Sequence, residues 1–196
     1  MVTSQDPLVV KGEILSRMSE EEFFHFCQEN RDLRIERNSK LEIIVMSPTG
    51  SETGRIEMEV GRQLSNWNHT HQLGKVFGSS TGFRLPDQSV LSPDAAWVAA
   101  ERWSALSPAE RKGFAPLTPD FVVEVRSSTD SEHWLREKML TYLRNGCRLA
   151  WLIDPEQERV ATFHADGRVE EFAGFDRMLQ AGPVLPGFEL DLALLR

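Results

Sequence analysis

One mixed α/β domain is predicted by this sequence, and three observations carry that expectation. First, residues 119–154 read as strand, helix, strand. Residues 121–125 are a β-branched and aromatic run bounded by Pro119 and the polar stretch 127–130, the pattern of a buried strand. Trp134, Leu135, Met139, Tyr142 and Leu143 then form an apolar helix face that stops at Asn145 and Gly146, before an apolar run over 148–154. A connection of that length fits a crossover between parallel strands. Second, alternating apolar residues flank polar turns at 33–46 and again at 158–172, which predicts a β-hairpin towards each end. Third, 196 residues, 40% of them hydrophobic and 27% charged, suffice for one core and are short for two.

In chain order, residues 1–18 are an N-terminal extension in which Val9 and Val10 suit a sheet edge, and 19–196 form the domain. Ser19 followed by Glu22 and then Phe23, Phe26 and Cys27 is a capping box opening an amphipathic helix. After the first hairpin and the loop 47–51, a helix is expected over 52–69. Ile56, Val60, Leu64 and Trp67 form its stripe. Residues 75–77 and 82–86 read as two strands around a turn, 95–99 as another strand, and 101–114 as a short helical excursion starting at Ser107. Asp130 or Ser131 caps the helix that follows strand 121–125, and 186–192 closes the chain.

Composition excludes several classes. Cys27 and Cys147 are too few and too distant for a disulfide framework or zinc motif and read as small buried thiols. No apolar run approaches the roughly 20 residues that span a bilayer, and no signal pattern opens the chain, so the cytoplasm is expected. The net charge of −8 argues against a broad nucleic-acid footprint but leaves room for a local basic cleft. Arg84, Arg102, Arg111, Lys112, Arg136 and Arg144 are the residues available to line one. His69, His71 and His133 read as exposed helix-end residues, and the five tryptophans as core, with Trp103 and Trp134 nearest the surface.

Four residues stand out chemically. Glu124 lies inside a buried strand, where an unpaired carboxylate costs several kcal/mol. Asp94 follows Ser92-Pro93 and directly precedes a strand, so the two acids at neighbouring strand ends suit a shared divalent cation, Mg²⁺ for oxygen ligands. Lys138 sits beside the apolar face of the next helix; if that helix packs on the sheet, its ammonium points at Glu124 and serves a reacting phosphate or a water. Glu52, at a helix start, is the fourth candidate. Each has a plainer reading: a turn-capping Asp94, a dipole-favoured Glu52, and a purely structural Glu124–Lys138 pair.

Ser-Pro-Asp94, the run 119–127 with Glu124, Lys138, Tyr142, Gly146 and the run 151–155 together resemble the Uma2 family, over roughly 19–195. The resemblance implies a restriction-endonuclease-like PD-(D/E)XK core, a mixed sheet flanked by helices, with the two hairpins added. It also implies Mg²⁺- or Mn²⁺-dependent hydrolysis of nucleic acid, DNA being the expected substrate. Asp94 and Glu124 match the motif acids, with the Val125 carbonyl as a further metal ligand. Lys138 matches the displaced lysine, and Glu52 an acid of the early helix. Arg126 stands where the general pattern has lysine; it cannot readily give up a proton and is expected to clamp phosphate. Thr53 stands where many relatives have histidine. Related nucleases often pair to cut two strands, which raises homodimerisation. The alternative is a non-catalytic binding or regulatory module on the same fold: a positive rim around Asp94 and Glu124 favours the nuclease, a uniformly acidic surface the module or a small substrate.

Overall fold

The computed structural model describes residues 5–196; the first four residues of the N-terminal extension lie outside the described residues. The elements run β1 (Leu8–Val10), α1 (Glu13–Ser16), α2 (Glu20–Glu29), β2 (Arg34–Arg37), β3 (Ile43–Met46), α3 (Ser51–His71), β4 (Gly74–Gly78), β5 (Phe83–Arg84), β6 (Val90–Leu91) and β7 (Ala95–Ala99). They continue as α4 (Ala100–Ser104), β8 (Phe121–Val125), α5 (Glu132–Arg144), β9 (Leu149–Asp154), β10 (Arg159–His164), β11 (Val169–Ala173), β12 (Met178–Gln180), β13 (Glu189–Asp191) and a closing 3₁₀ turn, Leu192–Leu195.

A six-stranded sheet in the order β11-β10-β9-β8-β7-β4 forms the centre. Only β8 and β9 in it run parallel, and α5 is their crossover, as the strand–helix–strand reading requires. The helix stripe of Ile56, Val60, Leu64 and Trp67 packs on one face of this sheet with Trp97, Phe121, Val123 and Trp151. Leu135, Met139 and Tyr142 of α5 pack on the other face with Val122 and Leu152. Because side chains alternate along a strand, β8 sends Phe121, Val123 and Val125 to the α3 side. Glu124 therefore shares the α5 side with Val122.

The first hairpin is not an appendage. With β1, β5 and β6 it builds a second, antiparallel sheet in the order β1-β3-β2-β6-β5, where Val9 and Val10 dock against Ile44 and Ile43 as an edge. The strands expected around the 78–81 turn do form, but they do not face each other. β4 pairs with β7 and β5 with β6, in separate sheets, so that turn is where the chain changes sheet. The excursion 101–114 is helical only over α4; at Ser107 the reciprocal bonds with Glu110 close a turn, not a helix. The capping box at Ser19 and Glu22 is present.

Gly74 holds the centre to α3. Asn68 accepts from its N–H and donates to its carbonyl, both at 3.0 Å, and takes the Trp97 indole N–H at 2.9 Å. A Cβ at Gly74 would stand 2.2 Å from the Val98 carbonyl oxygen, and backbone cannot yield as a side chain can. Gly74→Ala is expected to cost about 1–3 kcal/mol, read as a lowered urea midpoint.

Candidate active site

The register of the central sheet sets the site. Ala95 pairs with Val123 across the antiparallel β7–β8 ladder, so Asp94, one residue earlier, falls beside Glu124 and Val125. Asp94 is 6% exposed and Glu124 3%. One oxygen of Asp94, Oδ2, accepts the Val125 N–H at 2.8 Å, which takes up the strand edge where β7 has ended. The other, Oδ1, accepts from Arg34 Nη2 at 2.8 Å.

Lys138 lies on the buried stripe of α5 with Leu135, Met139 and Tyr142. Its ammonium reaches Glu124 Oε1 at 2.8 Å and Glu36 Oε1 at 2.8 Å, and donates to the Ser92 carbonyl at 3.3 Å. Burial alone would lower the Lys138 pKa, but the Glu124 and Glu36 carboxylates outweigh it and raise the ammonium's pKa above its ordinary value. Burial pushes the Glu124 carboxyl well above the usual carboxylate range, with Lys138 pulling the other way. The Tyr142 hydroxyl donates to Glu124 Oε1 at 3.4 Å.

Glu36 and Arg34 were not anticipated. Both come from the face of β2 opposite to Ile35. Glu36, 1% exposed, also accepts the Ser92 N–H at 2.7 Å, while Arg34 donates to the Ser92 carbonyl at 3.1 Å. The second sheet thus clamps the turn that carries Asp94. In the sequence the two residues look like the solvated side of a hairpin.

A cleft of about 1130 Å³ opens above these groups. Glu57 of α3 lines it, and its buried Oε1 meets no partner among the described residues. Burial and the nearby Asp94 charge raise the Glu57 carboxyl to about 7. A carboxyl whose folded pKa lies above its ordinary value of 4.5 stabilises the fold fully below that value and loses the contribution as pH rises through about 7. Glu57→Gln removes the ionisation. It is expected to gain stability over wild type at pH 8, on the order of 1 kcal/mol, and to gain little at pH 4, measured by paired thermal melts.

The other candidates are placed elsewhere. Glu52 is exposed and paired with Arg55 at 2.6 Å, outside the cleft lining. Arg126 does not line the cleft: it is bound to Asp154 at 2.5 Å and to the Asp130 carbonyl. Val125 and Thr53 do line it. None of the six bases named for a rim does so; Arg84, Arg102 and Arg136 pair with Glu20, Asp120 and Glu132. The lining carries six acids, Asp6, Asp32, Glu57, Asp94, Glu124 and Asp130, against two bases, Arg34 and Lys138. Both bases are already paired.

Among the described residues no three His, Cys, Asp or Glu side chains form a ready metal cage. Mg²⁺ binds through one or two carboxylates plus substrate phosphate and keeps several waters. Asp94 and Glu124 supply two carboxylates, and Glu57 Oε1 is a buried acceptor still without a partner. The donor set fits a hard divalent cation.

A family profile described as "Putative restriction endonuclease", that of Uma2, matches residues 20–193. A solved structure from Anabaena variabilis, described as a putative nuclease belonging to DUF820, aligns with a TM-score of 0.71 at 19% identity, over 91% of this chain and 97% of that one. No curated protein matches. Among the described residues no helix is long and apolar enough to cross a membrane. The match spans the whole central sheet and every residue of the site, from Arg34 to Lys138: the chain belongs to the Uma2 family and has its restriction-endonuclease-like fold.

Proposed function

We propose that this protein hydrolyses phosphodiester bonds of nucleic acid, DNA being the expected substrate, with Mg²⁺ or Mn²⁺ held by Asp94 and Glu124. The observation that carries the reading is the placement of these two acids on adjacent strands with Lys138 2.8 Å from Glu124 in a cleft floor. When bound, the cation supplies a lowered water pKa and an offset to phosphate charge. Glu57 and the Val125 carbonyl, which line the same cleft, are its further candidate ligands.

The chain's own groups divide the remaining work. Lys138, with its raised pKa, stays protonated and is no general base. It holds Glu124 in place and steadies negative charge on the phosphate. Arg34 is the more exposed cation, with 27% of its side chain accessible, and is placed to share its guanidinium between Asp94 and a phosphate oxygen. Arg126 and Glu52 keep at most outer roles.

A binding or regulatory module is the second reading, favoured by the acidic cleft lining. The two are separated by Mn²⁺ calorimetry with a plasmid-nicking assay at low salt. Metal binding with metal-dependent nicking is expected. Absence of binding at millimolar Mn²⁺ would overturn the site, and binding without cleavage would favour the module. Paired subunits cutting both strands would appear as a dimer in light scattering.

A further inference from the structure

A second hollow, of about 360 Å³, lies between α2, β2 and the segment 109–116. It is separate from the cleft, because Arg37 in its floor faces the opposite side of β2 from Arg34. Arg37 is only 2% exposed. Its guanidinium stands 4.5 Å over the Phe23 ring, and Nη1 donates to the Met18 carbonyl at 3.3 Å. Its buried Nε meets no acceptor among the described residues.

None of the acids around this hollow forms an ion pair with Arg37. Glu20 pairs with Arg84 at 2.5 Å, Glu110 accepts the Ser107 N–H at 2.7 Å, and Glu21 lies 3.9 Å from His25. Arg37 therefore makes no ion pair among the described residues, although the Glu20 carboxylate, held by Arg84, still acts on it across the hollow. A guanidinium stays protonated, and leaving one buried and unpaired is costly, whereas an oxyanion offers it charge-assisted bonds. Lys112 and Arg84 stand around the hollow, and Phe24 and Phe114, edge to face at 5.1 Å, give it an apolar wall.

From these contacts we infer that the hollow binds a small oxyanion, a carboxylate or phosphate head group on Arg37 with its apolar body against Phe24 and Phe114. The inference does not depend on nuclease activity. Thermal melts and calorimetry with inorganic phosphate and with benzoate, each against sodium chloride of equal ionic strength, test it. Saturable stabilisation in the millimolar range is expected from at least one probe. The better probe tells phosphate from carboxylate. Arg37→Met keeps the volume, removes an unpaired buried charge and so is expected to fold, with binding weakened about tenfold or more. Glu20→Gln frees Arg84 and is expected to tighten binding several-fold. No saturable binding of either probe, unchanged binding in Arg37→Met, or weaker binding in Glu20→Gln would overturn the site.

Discussion

Asp94→Asn is expected to lower metal-dependent cleavage by about 10³-fold, roughly 4 kcal/mol of transition-state stabilisation, while the fold survives. Asparagine keeps an oxygen for the Val125 N–H, the 2.8 Å bond that takes up the end of β8. It removes the charge that would hold a cation and that now holds Arg34 at 2.8 Å. Arg34 retains the Ser92 carbonyl as an acceptor, so the loss of stability is expected to stay near 1 kcal/mol. The Mn²⁺ affinity should fall by about tenfold or more in the same protein. Cleavage at the wild-type rate, with the metal still bound, would remove Asp94 from the reaction.

Lys138→Met carries the largest expected effect on stability. In wild type one ammonium serves Glu36 and Glu124, each at 2.8 Å and each almost wholly buried. Removing it strands two carboxylates, a change that costs about 3–5 kcal/mol when a buried charge loses its partner. The pH dependence follows from the signs. Lys138 has a raised pKa, so its contribution is complete below its ordinary value of 10.5 and is lost only as pH rises through the higher folded value. Between pH 5 and 8 Lys138 stays charged in wild type, and its ammonium restrains the rise of the Glu124 carboxyl. In the variant Glu124 lacks its ammonium and burial raises its carboxyl with only the more distant Arg34 charge opposing. The penalty should therefore be largest at pH 8 and shrink towards pH 5 as protons neutralise the acids. Urea midpoints at both pH values measure it, and Glu36→Gln added to Lys138→Met should recover part of the loss at pH 8. A penalty equal at both pH values would mean that lost packing, not stranded charge, is the cause.

Residues 121–125 show how much of the site was legible. An acid within a β-branched run of five residues signals a buried strand with a carboxylate that needs a partner. Lys138, on the apolar stripe of α5, named that partner before any contact was known. Asp94 was legible from its turn and the strand behind it. Glu52 was a reasonable choice as a helix-start acid, yet Glu57 is the α3 acid in the cleft. The two are five residues apart, about 140° around a helix, and nothing local to α3 says which arc meets the sheet opening. Arg126, expected to clamp phosphate, is instead found paired with Asp154, a partner local sequence could not name because it comes from the far end of the parallel neighbour β9.

By itself the sequence determined the elements, since helix and strand periods are written in the spacing of apolar residues over a few turns. It also singled out Glu124 and Lys138, because a charge within such a period is a local anomaly. Tertiary structure alone decided that strands on either side of the 78–81 turn enter different sheets, and that Arg34 faces the cleft and Glu36 is buried against Lys138 instead of facing solvent. It likewise decided that the cleft is acidic, with the six bases offered for a rim placed outside it. The reason is common to all three. Pairing across sheets joins residues as far apart as Glu36 and Lys138, and a polar residue on an alternating strand carries the same local signature whether water or another charge lies opposite.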